Sequence, residues 1–147
     1  MIIHLATDHA GFELKEKVKN YLKNKGYSVT DHGAHEYNSD DDYPDFIFPA
    51  AKAVAKDKSS RGIIFGGSGQ GEAIAANRIK GVRAIVFYGE NTEIPELSRL
   101  HNDANILSIG ARFISFDDLI KVVDAWFNTS FDRGRHVRRI KKLDQET

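Results

Sequence analysis

The chain has 147 residues, 41% hydrophobic and 29% charged, a balance that suits one compact domain with a sizeable core. Its 21 basic residues offset 21 acidic ones, so no global field attracts nucleic acid or an anionic membrane, and partners must be recognised locally. The absence of cysteine excludes disulfides, thiolate metal sites and cysteine nucleophiles. No apolar run approaches transmembrane length, and Met1 to Ala6 is too short for the hydrophobic region of a signal peptide, so a cytoplasmic protein is expected.

Ile2 to Ala6 reads as a first strand. Leu14, Val18, Tyr21 and Leu22 then recur on one helical face until Gly26, and Ser28 to Asp31 forms a weaker strand. The run Asn38 to Asp42 reads as an acidic surface loop. Phe46, Ala50 and Val54 align at four-residue steps in a helix that starts near Pro44. Gly62 to Phe65 is predicted as strand, Gln70 to Ile79 as helix and Arg83 to Phe87 as strand. Leu97 to Asn102 closes a further helix before a strand from Asn105 to Ile109. Leu119, Ile120, Val123, Trp126 and Phe127 mark another helix, and a basic helix follows from about Arg133 within the segment 131–147. Short strands separated by helices predict a Rossmann-like three-layer αβα sandwich with a five-stranded, mostly parallel sheet.

Ligands of such sheets bind beyond the carboxyl ends of the strands, which selects Asp8 and His9, the glycine turn, and the segment from Arg112. The turn lies within Arg61 to Gly81, RGIIFGGSGQGEAIAANRIKG. Gly66, Gly67, Gly69 and Gly71 let the backbone bend and approach a ligand closely, and the helix that follows aims free N–H groups into the same space. Glu72 adds a proton acceptor, so one turn can supply both a base and the donors for the oxyanion that the base creates. A carboxylate in a first helical turn is also an ordinary complement to the helix dipole. The spacing is GxGxG rather than GxGxxG and no Gly-Lys-Ser/Thr follows, but Glu90 about twenty residues on keeps a dinucleotide site open as an alternative. His32 and His35 have a metal-compatible spacing without a further ligand set, so they read as surface histidines and no metal site is expected.

Five segments combine: Thr7-Asp8-His9-Ala10-Gly11, Asp42-Tyr43-Pro44, Gly66 to Asn77, Ser98-Arg99-Leu100-His101-Asn102-Asp103, and Gly134-Arg135-His136-Val137-Arg138-Arg139. In this order and spacing, from Ile2 to about Leu143, the chain resembles the type-B ribose-5-phosphate isomerase family, which includes allose-6-phosphate and galactose-6-phosphate isomerases. The resemblance implies a cofactor-free and metal-free aldose–ketose isomerisation of a phosphorylated sugar through an enediolate. Many relatives place a cysteine base at the position of Gly66; this chain resembles the subgroup in which a glutamate takes over, here Glu72.

By the same resemblance, the amides of Gly67, Gly69 and Gly71 with Asn102 hold the enediolate, Ser68 contacts the sugar near its ring oxygen, and His101 opens the ring. Asp8 and Tyr43 match sugar-binding positions. Phosphate falls to Arg135 and Arg139, four apart on one helical face, with His9, Arg112 and His136 as additions. The family also implies a homodimer or a dimer of dimers with active sites at the subunit interface, to which the cation-rich final helix contributes. The segment Tyr88 to Glu96, YGENTEIPE, departs from the ribose-5-phosphate pattern and leaves the sugar open among ribose, allose and galactose phosphates. A nucleotide-binding regulatory module, in which Glu72 merely caps a helix, is the alternative of a different class.

Overall fold

Five apolar runs become five strands, and every neighbouring pair is parallel. The computed structural model describes residues 1–146. The strands are β1 (Ile2–Thr7), β2 (Ser28–Asp31), β3 (Arg61–Gly66), β4 (Ala84–Phe87) and β5 (Ile106–Gly110), in the order β2-β1-β3-β5-β4. The helices are α1 (Phe12–Asn24), α2 (Pro44–Lys56), α3 (Gln70–Ala76), α4 (Glu93–Asn102), α5 (Phe116–Asn128) and α6 (Arg135–Leu143). The sheet is all-parallel where a mostly parallel one was expected.

The period of two along each strand builds the layers. Ile3, Leu5, Ile63, Phe65, Leu107 and Ile109 pack on Val18 and Leu22 of α1 and on Leu119, Val123 and Trp126 of α5. The alternate residues Ala6, Ile64 and Ile106 meet Ile47, Ala50 and Val54 of α2 and Ala76 of α3 on the opposite face. Strand order reverses between β1 and β3, so the crevice for a ligand opens beyond Thr7 and Gly66. Among the described residues no helix is long and apolar enough to cross a membrane.

Regular α3 stops at Ala76, short of the expected Ile79; Asn77 keeps right-handed helical angles, but the bonds that follow tighten to i→i−3, Arg78 N–H to Ala75 O and Ile79 N–H to Ala76 O, both at 3.1 Å. The Asn77 side-chain Oδ1 accepts from the Ala84 amide at 2.8 Å and its Nδ2 donates to the Ala84 carbonyl at 2.9 Å. Both ends of one amide side chain are thus spent on starting β4. The final helix begins at Arg135 rather than about Arg133, since Arg133 and Gly134 hold positive φ of 61° and 54°.

Beyond β2 the chain keeps pairing with β1, His32 N–H to Leu5 O at 2.8 Å and Ala34 N–H to Thr7 O at 2.8 Å. Lys15, fully buried, anchors this stretch by donating to Ala34 O at 2.6 Å and to both oxygens of Asp31 at 2.8 and 2.9 Å. Burial alone would raise the Asp31 carboxyl, but Lys15, Lys19 and the Gly33 amide hold it below its ordinary value. The result is a loop laid over the carboxyl end of β1, where it meets the ligand crevice.

The same pairing corrects the reading of His32 as a surface residue. His32 Nε2 lies 2.9 Å from Nδ1 of buried His4, so the two rings share one hydrogen and at least one nitrogen must be unprotonated. Burial first, and mutual repulsion at His4, lower both pKa values from the ordinary 6.5. A base that binds protons less well when folded stabilises the fold above 6.5 and loses that contribution as pH falls through it. The melting temperature is expected to drop as pH falls below about 6.5, and His32→Gln should flatten that slope; equal slopes in both proteins would exclude the pair as its source.

Candidate active site

The glycine turn lies at the carboxyl end of β3, beside the matching ends of β1 and β5. Gly69 adopts φ +79° as the residue before α3, and a Cβ there would stand 3.0 Å from the Ile109 carbonyl carbon. Ser108 Oγ donates to Gly69 O at 2.7 Å and fixes the turn against β5. The amides of Gly67, Ser68, Gly69 and Gly71 have no protein acceptor among the described residues. They remain available to an anion.

Glu72 enters this turn from the first turn of α3 and is 4% exposed. Its carboxylate lies on Gly66, in the volume that a Cβ at Gly66 would fill, so a side chain at 66 and the Glu72 carboxylate exclude each other. Burial, with the Asp8 charge adding to it, pushes the Glu72 carboxyl above its ordinary 4.5. Such a shift moves a carboxylate toward the strength a general base needs near neutral pH.

Asp8 acts on this carboxylate, Tyr43 and Arg112 stand against the glycines of the turn, and His9 follows Asp8 in sequence. Asp8 is 8% exposed and accepts from the Ala10 amide at 3.0 Å, capping a single 3₁₀ turn, His9–Gly11, that sequence periodicity does not reveal. The Tyr43 ring leans on Gly71, where a Cβ would meet its hydroxyl oxygen at 2.7 Å. The Arg112 guanidinium covers Gly67, and its own amide donates to Gly67 O at 3.2 Å. Ser68 is exposed and only weakly engaged, its Oγ 3.4 Å from the Gln70 amide.

The acidic loop contributes a residue that sequence reading left in solvent. Asp41, its side chain 8% exposed, accepts through Oδ1 from the His9 amide at 3.0 Å and meets His9 Nδ1 at 2.7 Å. Ligand atoms of Asp8, His9 and Asp41 lie within 4.8 Å of one another, a group of metal-ligand type absent from the sequence reading, although the His9 Nδ1 in it is engaged by Asp41.

The other expected residues gather elsewhere. His101 and Asn102 end α4, and His101 stacks on His136 of α6 with ring centroids 4.7 Å apart, leaving Arg135 and Arg139 exposed beside them. Asn102 O accepts from Arg83, just before β4 begins, at 3.0 Å. Glu72 stands instead where β3 and β5 end. Five residues of β5 separate the two ends, on the order of 15 Å at strand rise. One chain therefore holds two partial constellations, at opposite ends of its sheet.

Residues 3–143 match the family model described as Ribose/Galactose Isomerase. The chain is 41% identical over 144 residues to ribose-5-phosphate isomerase B of Mycolicibacterium paratuberculosis, spanning 97% of this chain and 89% of that protein. It is 40% identical over 142 residues to a probable ribose-5-phosphate isomerase B of Mycoplasma genitalium, spanning 96% and 92%. The crystal structure of ribose-5-phosphate isomerase B from Mycoplasma genitalium with bound ribulose-5-phosphate superimposes with a TM-score of 0.93 at 38% identity, covering 99% of this chain and 95% of that one. The Thermotoga maritima ribose 5-phosphate isomerase structure gives 0.91 at 44% identity, covering 98% and 97%. This chain belongs to the type-B ribose-5-phosphate isomerase family of aldose–ketose isomerases.

Proposed function

We propose that the chain interconverts ribose 5-phosphate and ribulose 5-phosphate, with Glu72 as the base. The observation that carries this reading is the buried Glu72 carboxylate set on Gly66 beside four unengaged amides. The relatives' activity and the ribulose-5-phosphate bound in the Mycoplasma genitalium enzyme support the choice of sugar.

In this mechanism Glu72 removes the proton from carbon 2 of the open aldose and returns it to carbon 1. Charge developing on the oxygens is met by the amides of Gly67, Gly69 and Gly71 and by Asn102, donors that need no reorganisation. Ser68 binds near the ring oxygen, His101 passes the proton that opens the ring, and Asp8 and Tyr43 orient the hydroxyls. Arg135, Arg139, Arg112 and His9 hold the phosphate. The distance between the two constellations supports a homodimer in which one chain supplies Glu72 and its surroundings and the other supplies His101, Asn102, Arg135 and Arg139. Glu72 and the turn amides provide base and oxyanion donors, so no step requires a metal.

Incubation with ribose 5-phosphate should yield ribulose 5-phosphate at a rate indifferent to a chelator and above the rates on allose 6-phosphate and galactose 6-phosphate. Conversion of none of the three sugars, together with nucleotide binding, would establish the regulatory module instead. Loss of activity on chelation, restored by a divalent ion, would overturn the metal-free mechanism.

A further inference from the structure

We propose that Asp41 is a positioning residue that holds the His9 ring as a charged hydrogen-bond donor for the anionic end of the substrate. The inference rests on the reading of His9 as a phosphate ligand.

One oxygen carries the argument. Oδ1 of Asp41 receives the His9 backbone amide at 3.0 Å and approaches His9 Nδ1 at 2.7 Å. A carboxylate only accepts, so Nδ1 bears the hydrogen and Nε2 is the nitrogen left for a ligand. The two contacts fix both the place of the residue and the rotation of its ring. The second oxygen, Oδ2, is buried and has no protein partner among the described residues. With the side chain 8% exposed, the charge of Asp41 is compensated mainly through His9, and a buried anion with one such partner favours that partner as a cation.

The groups facing His9 come from four places, and the two carboxylates outweigh the one cation. Asp8 stands beside it at the end of β1, Asp41 reaches it from the loop before α2, Arg112 approaches from beyond β5, and the Tyr37 ring lies edge-on at 6.2 Å. The Asp41 hydrogen bond raises the His9 pKa above 6.5 and is the largest influence; the two carboxylate charges add to it, and burial and Arg112 oppose it. Two neighbouring cations repel one another. A dianion that contacts both turns the repulsion into attraction, so ligand binding should raise the His9 pKa further.

A purely structural Asp41 would tie the loop to β1 and do nothing more. The two roles separate by titrating the imidazole resonances of the full-length protein by nuclear magnetic resonance, with His9 assigned through His9→Gln. The expected midpoint for His9 lies above 6.5, rises on adding inorganic phosphate, and falls to 6.5 or below in Asp41→Asn, which keeps an acceptor but loses the charge. The same variant should bind inorganic phosphate about tenfold more weakly at pH 7.5, and should raise KM for ribose 5-phosphate more than it lowers kcat. A midpoint at or below 6.5 in the unaltered protein overturns the proposal without any variant. So does an Asp41→Asn protein that melts earlier but binds phosphate as tightly as its parent between pH 6 and 8. The titration requires no turnover, so it reads the Asp41–His9 pair even if the protein isomerises none of the sugars tested.

Discussion

Glu72→Gln should lower the turnover number by roughly 10² to 10⁴ while leaving substrate binding largely intact, because the amide keeps the shape of the side chain and removes its proton acceptor. Its effect on stability should run the other way. A carboxyl with a raised pKa binds its proton more tightly when folded, so at pH above that pKa the ionised group costs stability, and the cost is relieved as pH falls. Glutamine is neutral at every pH. The variant should therefore melt no earlier than its parent at pH 7.5, and its stability should vary less across pH 4.5 to 7. The parent's kcat/KM should carry an acid limb with a midpoint above 4.5 that any residual activity of the variant lacks. A variant that turns over normally but melts early would make Glu72 a helix cap.

The second large effect is a rescue. Glu72→Gln and Arg139→Ala chains should each be nearly inactive alone, yet regain about a quarter of the parent's activity when co-assembled in equal amounts. Random pairing makes half of the dimers mixed. Each mixed dimer contains one site with both residues intact and one with neither, which gives the quarter. The geometry behind this expectation is the placing of Asn102 and α6 where β4 begins and of Glu72 where β3 ends. Mixed assemblies that stay inactive would put Glu72 and Arg139 in one chain's own site, and an active monomer by light scattering would remove the need for a partner.

Much of this was legible from apolar spacing. The strands from Ile2, Ser28 and Arg61 and the faces of α1, α2 and α5 follow from periods of 2 and 3.6 that burial imposes on side chains. The glycine turn was legible because a run of four glycines in six residues has few other uses. What escaped were contacts made by polar side chains at long range. Asn77 bonds Ala84 at the start of β4, His32 pairs with His4, and Asp41 turns inward to His9. Each depends on a partner 7, 28 or 32 residues away, and no local period encodes such a partner. An acidic run reads as solvated because most are; Lys15 and its anchoring of the loop bring this one back over β1. The start of the final helix failed for a different reason, since positive φ at Arg133 is a strained choice for a residue with a side chain.

The mutual exclusion of a Gly66 side chain and the Glu72 carboxylate also bears on ancestry. If Glu72 is the base and relatives carry a cysteine base at position 66, an exchange of one for the other would pass through an impaired intermediate in either order. Adding the glutamate first forces it into the volume of the older side chain, and removing the cysteine first leaves a site without a base. On that reading the two positions would be epistatic. Gly66→Cys in this chain should be inactive through displacement of Glu72, and a small residue at 72 should make the cysteine tolerable before it makes it useful.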